Sequence, residues 1–222
     1  MNTEKKRLLH SLLFPALLTV IMWVVKLAEL LLDVHFTKFG NFPLDWRYIS
    51  GILSSPFIHG DLDHLISNTV PFLVLGTALF YFYRKHAYKI FLFLLLFTGV
   101  FVWLAARPAF HIGMSGIIYA LASFLIFSGF IHNNRELTSI SLIVVFLYGS
   151  MVWGILPGKE EVSWESHLFG AVVGLIAALF FSKMTAQEQQ KECLTGYKEY
   201  EDVSISHDKI KSVNYQYKED EE

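Results

Sequence analysis

Long apolar stretches alternate with short polar connections along most of this chain. Each stretch is close to the roughly 20 residues that a helix needs to cross the hydrocarbon core of a bilayer. A helix satisfies its backbone hydrogen bonds internally, so such stretches are predicted to be membrane-spanning helices. The pattern predicts six of them, over residues 10–32, 62–83, 88–105, 114–131, 137–156 and 165–183.

The connections divide the chain into a membrane domain and two polar ends. The predicted organisation is a cytoplasmic N-terminus over residues 1–9, a membrane domain over 10–184 and a polar tail over 185–222. The tail is rich in Glu, Lys and Gln, so it is expected to be disordered or weakly helical in the cytoplasm. The longest connection, 33–60, carries aromatic residues and prolines and is predicted to lie in the membrane interface.

Composition supports a polytopic membrane protein and excludes other classes. Of 222 residues, 54% are hydrophobic, and the mean hydropathy is +0.44. That is too apolar for a soluble domain of this size. The formal net charge is only -2, so no nucleic-acid surface is expected. The only cysteine, Cys193, lies in the polar tail, which argues against a disulfide framework and against thiol catalysis.

The positive charges of the short connections predict the orientation. Lys and Arg concentrate on the cytoplasmic side of membrane proteins. With the N-terminus inside, eight of them flank the cytoplasmic side (Lys5, Lys6, Arg7, Arg84, Lys85, Lys89, Arg135, Lys183) and four the other (Lys38, Arg47, Arg107, Lys159). Both termini are therefore predicted to be cytoplasmic. Short loops and the lack of a transit peptide favour the bacterial inner membrane.

A serine between glycines opens the fourth stretch, in Gly113-Met114-Ser115-Gly116. A serine hydroxyl is a poor nucleophile until a neighbouring base removes its proton. His167, at the start of the sixth stretch, is the predicted base. No Asp or Glu on helices 2, 4 or 6 is placed to orient that ring, so the sequence predicts a catalytic dyad. Tyr119, one turn below Ser115, is predicted to support the imidazole by packing.

Polar donors on the second stretch complete a candidate site. His64 and Asn68 stand at i and i+4 and project from one helix face. The backbone N–H of Ser115 at a helix N-terminus is a third donor for an oxyanion. In the predicted topology these groups and His167 lie about 5–10 Å below the outer helix ends, shallow enough for water to reach.

Small residues predict close packing of helices 4 and 6. Without a hydrophobic drive between helices in lipid, close backbone approach holds them together. Helix 6 offers Gly170, Gly174 and Ala178, and helix 4 offers Gly116 and Ala120. His167 shares a face with the two glycines, so this packing is expected to bring the base to the nucleophile.

Taken together and in this order, these motifs resemble the rhomboid family of intramembrane serine proteases. They are Gly113-Met114-Ser115-Gly116, His59 with His64 and Asn68 in HGDLDHLISN, His167-x-x-Gly170-x-x-x-Gly174, and Trp46-Arg47. The resemblance covers about residues 10–183. Two departures are a short loop before helix 6 and Phe80, which stands four residues after Gly76 where family members often carry Glu. Both bear on loop docking and substrate gating.

The resemblance implies an all-α membrane protein, a six-transmembrane-helix rhomboid bundle with a water-filled cavity open to the outer face. The implied activity is cleavage of single-pass transmembrane proteins near the extracytoplasmic membrane surface. Ser115 would be the nucleophile and His167 the general base. His64, Asn68 and the Ser115 N–H would form the oxyanion site, and Tyr119 would pack on His167. No cofactor or metal is expected, and the partners are substrate helices and the lipid bilayer.

Two other functions fit parts of the pattern. A zinc-dependent membrane hydrolase would use histidines near the outer end together with Asp61 and Asp63, but no His-Glu-x-x-His is present and His59 and His64 are five apart. Chelator sensitivity separates that reading from a serine protease. A non-catalytic binder of membrane helices is the second alternative, which labelling with a serine-reactive fluorophosphonate would exclude.

Several polar residues near the outer end can be explained without a catalytic role. His59, His111 and the Trp46-Arg47 pair fit either a functional role or simple interfacial anchoring, and the sequence leaves both open. Lys26 and Glu29 stand at i and i+3 late in helix 1. For these two we expect snorkelling towards the outer headgroups rather than an ion pair.

Overall fold

The computed structural model describes residues 3–132, 135–157 and 163–181, and over these ranges the chain forms helices and no named strand. The predicted tail with Cys193 lies outside the described residues, as do residues 158–162 of the loop before helix 6. Numbered in chain order, the described long helices are helix 1 (Thr3–Leu32), helix 2 (Leu62–Phe82), helix 3 (Ala87–Ala105), helix 4 (Ser115–His132), helix 5 (Arg135–Tyr148) and helix 6 (Trp164–Phe181).

The predicted all-α membrane fold is confirmed. Helices 1, 2, 3 and 6 are each long and apolar enough to cross a bilayer. Helices 4 and 5 carry shorter apolar stretches, Ser115–Ile131 and Leu137–Tyr148. These helices correspond one to one with the six stretches that the hydropathy pattern predicts.

Helix 1 begins at Thr3 rather than near residue 10, because its polar first turns find partners on helix 2. Arg7 Nη2 donates to the carbonyl oxygen of Tyr81 at 3.1 Å, and the Arg7 guanidinium lies over the Tyr81 ring. The Tyr81 hydroxyl donates to Glu4 Oε2 at 2.6 Å. The polar side chains of Glu4 and Arg7 are therefore part of helix 1 and do not precede it.

Helix 5 ends earlier than predicted, at Tyr148 rather than residue 156. Residues Gly149–Ile155 continue as a 3-10 helix. Glycine is a poor α-helix former, and two glycines, Gly149 and Gly154, fall within these residues. The apolar composition of the segment does not distinguish the two helix types, whose difference becomes important at the candidate site.

Helix 4 forms the core of the bundle. Every residue from Gly116 to Leu125 is buried. A helix that is apolar and buried around its full circumference is surrounded by other elements, and helix 4 contacts helices 2, 3 and 5. Its remaining side faces helix 6.

Helices 4 and 6 approach through their backbones, as the small residues predict. A side chain at Gly170 would meet the carbonyl oxygen of Gly116. One at Gly174 would meet the carbonyl oxygen of Ala120 and lie 2.9 Å from the backbone nitrogen of Phe124. Ser123 Oγ adds a hydrogen bond to the Ala171 carbonyl at 2.7 Å. Only glycine permits this separation at both positions.

Position 80, where the family resemblance leads us to expect Glu, is part of an aromatic cluster. Phe80 is buried and packs on Phe14 and Tyr88, with ring centroids 5.0 and 4.8 Å apart. Gly76, one turn earlier, faces Pro15 of helix 1 at a distance that leaves little room for a side chain. Helices 1 and 2 are therefore joined here by apolar packing, with no carboxylate at position 80.

The long connection between helices 1 and 2 is folded against the bundle. It contains short helices at Thr37–Phe39, Trp46–Tyr48, Gly51–Ser54 and Ser55–Phe57. Asn41 and His111 exchange two backbone hydrogen bonds of 2.9 Å, and Asn41 Nδ2 donates to the Gly99 carbonyl at 2.8 Å. Trp46 packs on Trp103 of helix 3. The connection is thus a docked loop rather than a free linker.

Gly174→Ala should destabilise the protein, because the added methyl group meets backbone atoms of helix 4 that cannot move independently. Overpacking of this kind costs about 1–3 kcal/mol, which corresponds to a few degrees in Tm. Thermal unfolding in detergent measures the effect, and Gly174→Leu should be worse. Gly149→Ala is the control, since its methyl group would lie 3.8 Å from its nearest neighbour, Val145 Cγ1. Equal melting of the two alanine variants would contradict the close approach.

Candidate active site

The loop before helix 4 places Ser115 at the first position of that helix. Gly113 has a φ of +104°, a conformation that favours glycine, and a side chain there would lie 2.7 Å from the His64 ring. The Met114 carbonyl accepts from the N–H groups of Ile117 and Ile118 at 3.0 Å. Ser115 therefore follows directly after the helix cap, and its N–H is one of those without an intrahelical acceptor.

Ser115 and His167 are hydrogen-bonded to each other across the helix 4 and helix 6 interface. The distance from Ser115 Oγ to His167 Nε2 is 2.9 Å. His167 Nδ1 lies 2.9 Å from the Gly154 carbonyl oxygen. A carbonyl oxygen can only accept, so Nδ1 carries the ring proton and Nε2 keeps its lone pair. In that tautomer the serine hydroxyl donates to Nε2.

Packing fixes the plane of the same imidazole. The rings of Tyr119 and His167 are stacked, with centroids 4.2 Å apart and an interplanar angle of 8°. This is the contact predicted for Tyr119. A side chain at Gly154 would meet the Tyr119 hydroxyl and lie 3.3 Å from His167 Nδ1. Glycine at 154 therefore lets the backbone of the 3-10 helix reach the edge of the His167 ring, while Tyr119 covers the face of that ring.

Sequence reasoning missed Gly154. It assigned the orientation of His167 to packing alone, whereas Nδ1 is also bonded to the Gly154 carbonyl. A backbone carbonyl acceptor leaves no side-chain signature in a sequence. The available signal was a glycine in an apolar segment, which costs helix stability and often has a packing or functional reason.

The predicted catalytic and oxyanion residues, with Tyr119, line one cavity of about 610 Å³, whereas the predicted supporting residues Gly113, Gly116, Gly170 and Gly174 do not. Five of its lining residues were predicted as site residues: His64, Asn68, Ser115, Tyr119 and His167. The others are Asp61, Asp63, Ser67, Pro71, Ile118 and Tyr148. The cavity thus combines polar groups of helices 2, 4 and 6 with the apolar side chains of Pro71 and Ile118, and Tyr148 at the end of helix 5 also lines it.

The start of helix 2 sets the positions of His64 and Asn68. Asp61 caps this helix, because its Oδ1 accepts from the His64 N–H at 2.7 Å. Asn68 Nδ2 donates to the His64 carbonyl at 2.8 Å. A primary amide has two N–H groups, so this bond orients the amide and leaves a second N–H as a donor. His64 is half-buried and Asn68 is buried.

His59 lies behind His64, outside the cavity lining. Its ring contacts that of His64 at 5.0 Å between centroids, and its Nε2 accepts from the Met114 N–H at 3.4 Å. Burial, and secondarily the neighbouring His64 ring, lower the pKa of His59 to about 3. The ring is therefore neutral and retains the lone pair that the Met114 N–H requires.

His111 belongs to a separate cluster at the start of helix 6. Its Nε2 lies 3.0 Å from the Arg107 carbonyl and its Nδ1 lies 2.6 Å from Ser163 Oγ. Burial lowers the pKa of His111, so the ring is neutral. Ser163 Oγ also bonds to Ser166 Oγ at 2.6 Å, next to His167. Both His59 and His111 are buried and hydrogen-bonded, which favours a structural or functional role over simple interfacial anchoring.

Trp46 and Arg47 are both away from the cavity lining. Trp46 is 73% exposed, and Arg47 pairs with the neighbouring Asp45 at 2.6 Å. That carboxylate raises the pKa of Arg47, which keeps the guanidinium charged. Of the two interpretations that the sequence leaves open, these positions favour an anchor.

The expected snorkelling of Lys26 and Glu29 is wrong. Both residues are buried, and Lys26 Nζ lies 3.0 Å from Glu29 Oε2. The same ammonium donates to the carbonyl oxygens of His59 and Gly60 at 3.0 and 2.9 Å. These acceptors, supplied by a loop far along the chain, replace the lipid headgroups that sequence alone suggests.

The described residues contain no group of three His, Cys, Asp or Glu side chains placed to hold a metal ion. The histidines of the zinc alternative are divided among separate partners. His111 faces Ser163 and Arg107, while His167 faces Ser115 and Gly154. The zinc hydrolase interpretation therefore lacks a ligand set in this part of the chain.

The fold and the site define a polytopic helical membrane protein whose polar cavity contains a hydrogen-bonded serine and histidine. Residues 46–184 match the Rhomboid domain. Uncharacterized proteins of Mycobacterium bovis and Mycobacterium tuberculosis are 33% identical over 181 residues, covering 77% of this chain and 73% of theirs. One from Mycobacterium leprae is 31% identical, over 77% of this chain and 70% of its own. The chain belongs to the rhomboid family of intramembrane serine proteases and is an integral membrane protein.

Gly154→Ala should disturb the His167 ring, because the new methyl group meets the Tyr119 hydroxyl. We expect a lower Tm and loss of the Nδ1-bound proton signal of His167 in NMR spectra of the detergent-solubilised protein. Removing the obstructing oxygen with Tyr119→Phe should recover part of the Tm loss in the double variant, a coupling of about 0.5–3 kcal/mol. Strictly additive Tm effects would show that Gly154 and Tyr119 do not meet.

Proposed function

We propose that this protein is an endopeptidase that cleaves single-pass transmembrane proteins near the extracytoplasmic membrane surface, with Ser115 and His167 as a catalytic dyad. One observation carries the proposal: the 2.9 Å hydrogen bond between Ser115 Oγ and His167 Nε2 in the wall of a 610 Å³ cavity. Nucleophile and base within hydrogen-bond reach, with the base held by a third group, are the geometric signature of serine hydrolysis. Here the third group is the Gly154 carbonyl.

In the first half-reaction the Ser115 oxygen attacks the scissile carbonyl carbon while its proton passes to His167 Nε2. The imidazolium then donates this proton to the leaving amine nitrogen as the carbon–nitrogen bond breaks. The product is an acyl-enzyme ester on Ser115. Throughout, Nδ1–H stays on the Gly154 carbonyl, so the ring keeps its orientation when its charge changes.

In the second half-reaction water takes the place of the amine. His167 Nε2 removes a proton from the water as its oxygen attacks the ester carbon. The proton then returns to Ser115 Oγ, which restores the hydroxyl and releases the carboxylic acid product. The exposed polar side chains of Asp61, Asp63 and Ser67 in the cavity lining support entry of this water.

Both half-reactions place negative charge on the substrate carbonyl oxygen. The proposed donors are the His64 side chain, the second N–H of Asn68 and the backbone N–H of Ser115. All three residues line the cavity, and the last lies at the positive end of helix 4. Donors held rigidly before reaction stabilise the transition state without reorganisation. The Asp61 cap and the Asn68 bond to the His64 carbonyl supply this rigidity.

The proposed location follows from the charge asymmetry of the connections. With both termini in the cytoplasm, the N-terminal ends of helices 2, 4 and 6 face the extracytoplasmic side, and the cavity opens there. The bacterial inner membrane is the proposed compartment. Residues 1–9 and the tail 185–222 are proposed to be cytoplasmic, with 10–184 as the catalytic domain.

Ser115→Ala and His167→Ala should each abolish cleavage of a single-pass reporter in proteoliposomes while leaving the Tm nearly unchanged. Because both residues take part in one proton transfer, the double variant should be no slower than either single variant. The reporter product and fluorophosphonate labelling are measured together. Wild-type protein should label and Ser115→Ala should not. Turnover in a folded Ser115→Ala variant would disprove the dyad.

His64→Ala and Asn68→Ala should each lower kcat about 10²–10³-fold with little change in KM, the usual effect of losing one oxyanion donor. Ser67→Ala is the matched control, because Ser67 Oγ bonds to the same His64 carbonyl as Asn68, at 2.9 Å. It removes that helix bond without removing the proposed oxyanion donor and should lower kcat far less. Equal losses in Ser67→Ala and Asn68→Ala would assign Asn68 a purely structural role.

A further inference from the structure

The ion pair of helix 1 is unusual for its position. Lys26 and Glu29 are 5% and 4% exposed, and they lie within a membrane-spanning helix. Ionised groups are costly inside a membrane and mark functional positions there. Helix 1 also joins helix 2 through apolar contacts such as Phe14 on Phe80, so part of the contact between these two helices forms without charge.

The donors of the Lys26 ammonium are fully used. It has three N–H groups, and three acceptors surround it: Glu29 Oε2 at 3.0 Å, the His59 carbonyl at 3.0 Å and the Gly60 carbonyl at 2.9 Å. Glu29 in turn accepts from the Phe36 N–H through Oε1 at 2.7 Å. One side chain therefore holds two consecutive peptide groups just before helix 2 begins.

These two peptide groups are directly connected to the proposed active site. The His59 side chain accepts from the Met114 N–H, next to Ser115, and its ring contacts His64. His64 also lies against Gly113, so tightly that a side chain at 113 would collide with its ring. Lys26 therefore binds the backbone carbonyl of His59. The His59 side chain in turn contacts both the loop before Ser115 and His64, a proposed oxyanion donor.

We propose that Lys26 is a positioning residue for the oxyanion site: by holding the carbonyls of His59 and Gly60, it fixes the His59 ring between His64 and the Met114 N–H. Glu29 neutralises the Lys26 charge and keeps the ammonium in place. This inference rests on the proposed protease function. Movement of His59 would release His64 and the loop before Ser115 together.

Lys26→Met tests the inference, since it removes all three donors but keeps an unbranched side chain. We expect kcat for the reporter to fall about 10–100-fold, because misplacement by about 1 Å can cost a hundredfold. KM should stay within about twofold. The rate of fluorophosphonate labelling of Ser115 should fall in parallel with kcat.

A lone Glu29 carboxylate would destabilise the single variant, so a double variant separates stability from positioning. Removing both partners of a buried ion pair is often neutral, whereas removing one is not. Lys26→Met/Glu29→Met should therefore recover most of the Tm lost in Lys26→Met, while kcat stays low. A folded double variant with wild-type kcat would overturn the proposal.

Arg7→Met is the matched control. Arg7 is also a cationic side chain of helix 1 bonded to a backbone carbonyl, but that carbonyl belongs to Tyr81 near the C-terminal end of helix 2, whereas Lys26 binds the loop before the N-terminal end. It should lower the Tm and leave kcat unchanged. A fall in kcat equal to that of Lys26→Met would show that any weakening of helix 1 has this effect. Ser115→Ala assayed in parallel keeps the two questions apart, since its activity would contradict the protease function whatever Lys26 does.

Discussion

The structure depends above all on the backbone contact between helices 4 and 6. Lipid tails are as apolar as leucine, so no hydrophobic force drives two membrane helices together, and close packing must do so. At Gly170 and Gly174 even one methyl group would meet the backbone of helix 4. This contact fixes the depth of the two helices relative to each other, and therefore places the His167 ring opposite the first residue of helix 4. The 2.9 Å bond to Ser115 is a consequence of that placement.

Polar bonds at one end of the bundle complete what the helix packing begins. Several of them join a side chain to a backbone carbonyl: Lys26 to His59 and Gly60, His167 to Gly154, and Asn41 to Gly99. Carbonyl oxygens only accept, so each bond fixes a donor without the charge that a carboxylate would add. In an environment of low dielectric, where an unpaired polar group is costly, such bonds hold the connecting segments to the helices.

Much of this arrangement is predictable from sequence because its parts follow strong local rules. Apolar length identifies the six helices, and small residues at i+4 spacing identify the helix 4 face of helix 6. Spacing also puts His64 and Asn68 on one face. What sequence does not predict depends on the loops. The Gly154 carbonyl carries no side-chain signature, and helix 5 changes to a 3-10 helix only where Gly149–Ile155 approach His167. The Lys26 acceptors lie more than 30 residues away, which explains why snorkelling looked favourable.

The bond of His167 Nδ1 to a carbonyl oxygen, and not to a carboxylate, has a chemical consequence in the proposed mechanism. Attack by Ser115 with transfer of its proton creates an imidazolium and an oxyanion together, in a site where Ser115 is half-buried and His167 is buried. A neutral carbonyl at Nδ1 stabilises the imidazolium less than an ionised Asp would, because hydrogen bonds between charged groups are the stronger ones. The mutual attraction of the two new charges must make up part of the difference, and it grows as the local dielectric constant falls. The position of the oxyanion therefore affects the stability of both the oxyanion and the imidazolium. For this reason the contacts of Lys26 and His59 behind His64 are important to the proposed mechanism.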